Sequence, residues 1–550
     1  MFTHHAASKI SESTILFNRI EAYQLVATPI IQVEGSARLL LITMATTFGS
    51  KMRFFRPKNV PIAIPLLLLG LHYFPYSSHG FSVSRQQQTI LEVSDQMASA
   101  EFHKYREMSH QIASQFVPTE FKPLSSLTNC HVQTISGVYL RNSNACKYIS
   151  GSSGLNSLIR KSAKTIMALV TGKQEMPSSS DREHFWDERQ RFETPDGDFF
   201  DVDFKYRNAV YQPQPNNSAA SRLEPSKKGM VIILHGLQSN SNSSLSVDMA
   251  RGYLQQGFDV ACMNFRGCSG EMNRKMGGYH LGFTDDLKQF LGHLKGEREG
   301  TQEQKQSTSP ARPPLYLSGF SLGANVALKA LGELGEAAHR DYHIFGAAVC
   351  GAPFDQERNI NFVQAPGFNR LIYMGFLLKS LRERSLEQLE LFEGTEEWKK
   401  VSYEEVINSN TIADVENAVI APLYGFQDNI DYYRQTSCLQ FVDNITVPTL
   451  IINAADDPFF DPSLFPREKS CDFSDTSPIK MVRTDHGGHL GFMFAKEEHP
   501  ADGDCKLDEE EFESKENERA SWMPSELARF LSGVYSKREM MNEVEEMLGR

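Results

Sequence analysis

The eight cysteines of this 550-residue chain form no Cys-x-x-Cys pair and show no metal-ligand spacing. A disulfide framework and a zinc site are therefore both unsupported, with room for a single bridge at most. Cys262 and Cys350 fall inside apolar, strand-like runs, where a free thiol behaves as a small buried hydrophobe. Basic charge is also short: 56 Lys and Arg against 68 Asp and Glu leave a net charge of −12. No nucleic-acid partner is expected, because that needs a basic face. The third shortage is of long apolar runs, since a spanning helix wants about 20 such residues. Leu39 to Met44 is too short, and Val60 to Phe74 (VPIAIPLLLLGLHYF) is shorter than that and carries Pro61 and Pro65. What is present, 40% hydrophobic and 23% charged residues, supplies a sizeable core and argues against wholesale disorder.

The run from Val60 follows a basic MRFFRPK that begins at Met52, and Ser77, Ser78 and Gly80 come after it. Basic flank, apolar centre and small polar residues are the layout of a secretory signal, with a membrane anchor as the other reading. Translation starting at Met52 is a further hypothesis. Gly80-Phe81 followed by a serine resembles the cleavage context of algal plastid-targeting presequences. Residues 1–115 are thus expected to be a targeting or membrane-anchor presequence and linker, implying a membrane-associated, secretory or organelle location. Residues 116–550 are expected to be one domain.

Within that domain, RFETPDGDFFDVDF (Arg191 to Phe204) alternates around Pro195-Asp-Gly-Asp, a hairpin signal. GMVIILHG, FDVACMNF, LYLSGF, IFGAAVC and PTLIINA are short continuous apolar runs, the pattern of strands buried on both faces. Helical segments such as Thr284 to Leu294 and Leu322 to Leu334 lie between several of them. Strands alternating with helices imply an α/β fold with a mostly parallel sheet covered on both sides. A hairpin followed by parallel strands is the α/β-hydrolase layout. Residues 356–443 read as a helical cap insertion, containing the long run 368–392. Residues 497–518 read as an acidic insertion. Its DGDCKLDEEEF resembles an EF-hand loop, but Pro500 and Cys505 replace the first ligand and the turn glycine, so a solvated loop is expected.

Gly319-Phe-Ser321-Leu-Gly323 sits where a strand hands over to a helix. There the turn projects a serine hydroxyl above the sheet edge, and the glycines allow strand and helix to approach closely. A serine hydroxyl is a weak nucleophile until a base takes its proton and a carboxylate holds that base. In this arrangement the acid and then the histidine follow along the chain. Asp456 and Asp457 come after PTLIINA, and His486 and His489 lie in the glycine-rich loop after PIKMVRT. Asp457 is preferred because it directly precedes a proline, as in the acid turn of many hydrolases, with Asp456 left to cap the turn. His489 is preferred because two glycines before it allow a sharp loop. Oxyanion donors are expected at the backbone N–H of Leu322 and of Leu237, with His235 bracing the latter's loop.

HGLQSNSNS, NFRGCSGEMNR, YHLGFTDDL, GFSLGANV, NAADDPFF and HGGHLGF occur in an order that resembles the AB-hydrolase-4 family. This branch of the α/β-hydrolases contains the YheT-like bacterial esterases and the related abhydrolase-domain lipases. FKPLSSLTNCHVQTI (121–135) resembles the family's N-terminal signature. The resemblance covers about residue 116 to the end. It implies a cofactor-free serine carboxylesterase or acylglycerol lipase acting on short- and medium-chain esters or phospholipids, with acyl transfer to an alcohol as the alternative and a non-catalytic ligand-binding protein on the same fold as a third reading. The triad carries over onto Ser321, Asp457 and His489. The implied partner is a small acyl ester or lipid, with possible membrane association.

Overall fold

The computed structural model describes residues 102–123, 128–139, 185–207, 226–299, 313–466, 468, 470–474, 477–493 and 521–547. The apolar run at Val60 to Phe74, most of the segment 147–190 and the acidic insertion lie outside these residues. Among the described residues no helix is long and apolar enough to cross a membrane.

Nine strands form one sheet: β1 Glu188–Glu193, β2 Phe199–Lys205, β3 Met230–Leu234, β4 Asp259–Asn264, β5 Leu315–Phe320, β6 Ile344–Cys350, β7 Thr449–Ala454, β8 Ser470–Asp472 and β9 Ile479–Thr484. Their order is β1-β2-β4-β3-β5-β6-β7-β9-β8. The hairpin β1–β2 joins β4 in antiparallel fashion, the six strands from β4 to β9 are mutually parallel, and β8 closes the far edge antiparallel to β9. Side chains on successive strand residues point to opposite faces, and both faces are filled. In β3, Ile232 and Leu234 pack on one face with Leu287, Phe290 and Leu291 of helix α3 (Asp285–Glu299). Val231 and Ile233 pack on the other face with Met249 and Tyr253 of helix α2 (Ser244–Gln255) and Leu527 and Leu531 of helix α6 (Trp522–Met547). Cys262 and Cys350 are buried in β4 and β6, neither of them in a disulfide. This double burial explains why the parallel strands read as unbroken apolar runs.

The packed body extends ahead of residue 116. Residues 102–114 are helical, and Ile112 and Ala113 are buried, with Ile112 joining the core cluster of Phe530 and Leu531. A second N-terminal helix, α1 (Cys130–Tyr139), follows. Between β6 and β7 lies the helical cap, which owns a small core of Leu389, Val401, Val406, Val415 and Val419. The run 368–392 is helical, but it opens with a π-helical turn, Arg370–Met374, before helix α5 (Gly375–Leu391). Helix α4 (Leu322–Leu334) directly follows β5.

After β3 the chain steps to β4 on one side, whereas β5 lies on the other side of β3. This is the topological switch point of the sheet, where the loops at the strands' C-terminal ends diverge and leave a crevice. Ser321 follows β5 and the loop from His235 follows β3, so both open onto it.

Candidate active site

Ser321 has φ 54° and ψ −123°, a backbone conformation that L-residues rarely adopt. It is held there from both sides. Its N–H donates to the Cys350 carbonyl at 3.0 Å, and its carbonyl accepts from Asn325 N–H at 3.2 Å. A Cβ on Gly319 would lie 2.6 Å from the Gly323 carbonyl oxygen, and one on Gly323 would lie 2.5 Å from that of His235. Larger residues at either position would push β5, α4 and the β3 loop apart.

The hydroxyl of Ser321 lies 3.0 Å from Nε2 of His489, and Nδ1 of His489 lies 2.8 Å from Oδ2 of Asp457. A carboxylate can only accept, so Nδ1 carries the proton and Nε2 is left to accept from the serine hydroxyl. Asp457 is almost wholly buried, and its second oxygen accepts from Phe459 N–H at 2.9 Å. The Phe459 ring lies 4.4 Å from the His489 ring and Phe460 meets it edge-on at 5.2 Å, limiting water around the imidazole.

The neighbouring acid has a different task. Asp456 Oδ1 accepts from Gly488 N–H at 2.9 Å, and its other oxygen is 3.5 Å from His486 Nδ1. Burial pushes its carboxyl above the ordinary range. Asp456 thus braces the glycine loop, and the pair in line with Ser321 is Asp457 with His489. Gly487 and Gly488 have φ 151° and 56°, which lets the loop double back as the two glycines suggested.

Residues outside the three-residue line hold it in place. Thr134 of α1 accepts His489 N–H on its hydroxyl at 2.8 Å. Gln133 bonds both backbone groups of Met493, donating to the carbonyl at 3.0 Å and accepting from the N–H at 2.6 Å. A Cβ on Gly488 would run into the Cys130 carbonyl and the Thr134 hydroxyl. The sequence carried a signal for this segment, since Thr134 and Gln133 belong to the N-terminal signature, but nothing in it indicated contact with the histidine loop.

Leu237 and Leu322 both border the cavity beside Ser321. Leu322 opens α4, so its amide is one of the first-turn N–H groups without an intrahelical partner. The loop carrying Leu237 is fixed at its next residue, where Gln238 N–H donates to Tyr279 Oη at 2.7 Å. His235 is buried and braces the same region. Its Nδ1–H donates to the Gly236 carbonyl at 2.8 Å and its Nε2 accepts from Phe265 N–H at 3.1 Å. Burial pulls its pKa down to about 4, so the ring stays neutral. Arg266 is likewise a turn brace, paired with Asp286 and Asp196 at 2.7 Å each. Thr284 directly precedes α3, where its carbonyl accepts from Lys288 N–H at 3.0 Å and its hydroxyl donates to Glu333 at 2.7 Å.

Ser321 and His489 open into a cavity of about 840 Å³ roofed by the cap. Of the apolar residues in the run 368–392, Ile372, Met374, Phe376 and Leu377 line it, whereas Leu371 faces solvent and Leu378 packs against the cap core. Among the described residues, no cluster of three His, Cys, Asp or Glu side chains is arranged to hold a metal ion.

The family model described as serine aminopeptidase, S33 (Hydrolase_4) matches residues 225–478. The chain is 28% identical over 381 residues to YheT of Escherichia coli (strain K12), covering 69% of this chain and 89% of that one. It is 24% identical over 296 residues to a monoacylglycerol lipase of Saccharomyces cerevisiae, covering 54% of this chain and 60% of the other. To phospholipase ABHD3 of Mus musculus it is 22% identical over 278 residues, covering 50% and 62%. The match thus spans about three fifths of each of the two eukaryotic relatives. The sheet order and the strand-to-helix serine turn are those of an α/β-hydrolase fold, and over residues 225–478 the chain is similar to the serine aminopeptidase, S33 (Hydrolase_4) family.

Proposed function

We propose that the protein is a carboxylester hydrolase working through an acyl-enzyme, with Ser321 as nucleophile, His489 as general base and acid, and Asp457 orienting the imidazole. Ser321 Oγ attacks the ester carbonyl as its proton passes to His489 Nε2. The C–O bond to the alcohol then breaks, and the alcohol leaves with that proton. Water enters, gives a proton to His489 and attacks the acyl carbon. Serine departs by recovering the proton, and the free acid is released. The amides of Leu237 and Leu322 receive the tetrahedral oxyanion in both halves. The substrate class is a short- or medium-chain carboxylic ester, an acylglycerol or a phospholipid, in keeping with the lipase and phospholipase among the relatives.

One observation carries this reading: a serine on a strained strand-to-helix turn hydrogen-bonds a histidine that hydrogen-bonds a buried aspartate, beside a large, mainly apolar cavity. The test is hydrolysis of a panel of p-nitrophenyl esters, monoacylglycerols and phospholipids. Ser321→Ala should reduce turnover by at least about a thousandfold, and a fluorophosphonate probe should label wild type at Ser321 alone. Turnover that survives in Ser321→Ala removes the nucleophile. Supplying an alcohol in the same assay separates hydrolysis from acyl transfer, because transfer diverts the acid into a new ester.

A further inference from the structure

The cavity wall is apolar over most of the cap, yet it contains an acid that the mechanism above does not use. Glu416 lines the cavity among Ile412, Val415, Val419 and Ile420. It is half-buried, and its surface borders the cavity. Tyr433 Oη donates to one carboxyl oxygen. Among the described residues the other oxygen has no partner.

His280 lines the same cavity. Its Nδ1 accepts from Gly282 N–H at 3.2 Å, which places the ring proton on Nε2. Among the described residues Nε2–H has no acceptor. Tyr432 packs between His280 and Tyr433. Its ring lies 5.6 Å from His280 and 5.3 Å from Tyr433, and its hydroxyl is already engaged by Leu281 N–H. Glu416 also opens a π-helical turn, Glu416–Ile420, a widening of the helix that recurs at functional sites.

Burial pushes the Glu416 carboxyl up to about 8 and holds His280 down near 3, so at neutral pH both groups are uncharged. Each then offers a proton, and Glu416 an acceptor oxygen as well. A plain hydrocarbon chain filling this space would strip water from both and return no hydrogen bond, which is costly in an apolar wall. A ligand hydroxyl suits either group, since its oxygen can accept from the protonated carboxyl or from the imidazole N–H.

We propose that Glu416 and His280 form a hydroxyl-recognition subsite in the substrate cavity, selecting esters whose hydrocarbon part carries a hydroxyl over their plain counterparts. The inference rests on the esterase reading for its function but not for its binding. Two series distinguish where the hydroxyl sits: ethyl esters of straight-chain acids with and without a terminal hydroxyl, and butyrate esters of alkanols and of the matching alkanediols. In one series at least, the hydroxylated ester should show kcat/KM on the order of tenfold or more above its partner. Glu416→Leu should reverse the order, raising kcat/KM for the plain ester and lowering it for the hydroxylated one. Glu416→Gln, which keeps a donor and an acceptor, should retain the preference, and His280→Phe should weaken it. Calorimetry with Ser321→Ala protein reads the same preference as binding, without turnover. Equal binding and cleavage of every matched pair overturns the subsite, as does a Glu416→Leu variant that lowers both members alike. A binding preference in a wild type that cleaves nothing leaves the subsite standing and removes the esterase reading.

Discussion

Ser321 combines two properties that pull in opposite directions, the chemical role proposed for it and an unfavourable backbone. At φ 54° and ψ −123° a non-glycine residue carries strain on the order of 1–3 kcal/mol. Ser321→Ala removes the hydroxyl and keeps the strain. Ser321→Gly removes both, offset by about 0.5–1 kcal/mol of extra chain entropy in the unfolded state. Ser321→Gly is therefore expected to melt a few degrees above Ser321→Ala, with hydrolysis lost in both, as thermal unfolding and an ester assay would show. Equal melting temperatures would mean that the turn stores no more strain than the added chain entropy offsets. The serine was legible because the chemistry demands small residues at fixed offsets, and Gly319 and Gly323 supply them. Choosing Asp457 over Asp456 was less secure, because adjacent residues in a turn differ in side-chain direction and not in spacing. Glu416 was not legible at all. In IADVENAVI it resembles an ordinary solvated acid on an amphipathic helix, and the π turn that begins there shifts the facing of later residues away from the 3.6-residue repeat.

Among the elements, the buried strands announced themselves as apolar runs, whereas β8 did not. Ser470–Asp472 is three residues long and pairs only along one edge, so it carries little hydrophobic signal. Helix α1 shows a different limit. Its sequence marked it as a family feature, but its contacts bridge more than three hundred positions of chain, from Thr134 to His489 and from Gln133 to Met493, and no local pattern encodes a partner that distant. Thr134→Val keeps the shape of the side chain and removes the acceptor for His489 N–H. That amide is then left without its partner, and the imidazole loses a constraint on its distance from Ser321. The expected result is a fall in kcat on the order of tenfold with KM nearly unchanged, restored by Thr134→Ser. Steady-state kinetics on all three proteins reads it. A change in KM alone would assign α1 to substrate binding instead.

At the scale of the whole molecule, the cap and body enclose a cavity whose chemistry bears on folding. Glu416 is the place where the two meet, because its carboxyl has a pKa near 8 in the folded chain against an ordinary 4.5, with burial the main cause. The groups that face it are Tyr433 and Tyr432, both phenols held well above their usual range and so uncharged here. Below about pH 4.5 the carboxyl is protonated in both states and exerts no pH-dependent effect. As pH rises from there toward 8, the unfolded chain releases the proton and the folded chain keeps it, so the unfolded state binds fewer protons and stability falls. The slope from this one group approaches about 1.4 kcal/mol per pH unit at most and flattens above pH 8. Glu416→Gln abolishes it. The variant should therefore melt close to wild type near pH 4.5 and increasingly above it toward pH 8, a widening gap that thermal unfolding across that range measures directly. A constant gap would mean that Glu416 is ionised in the fold, with water or an ion compensating its charge.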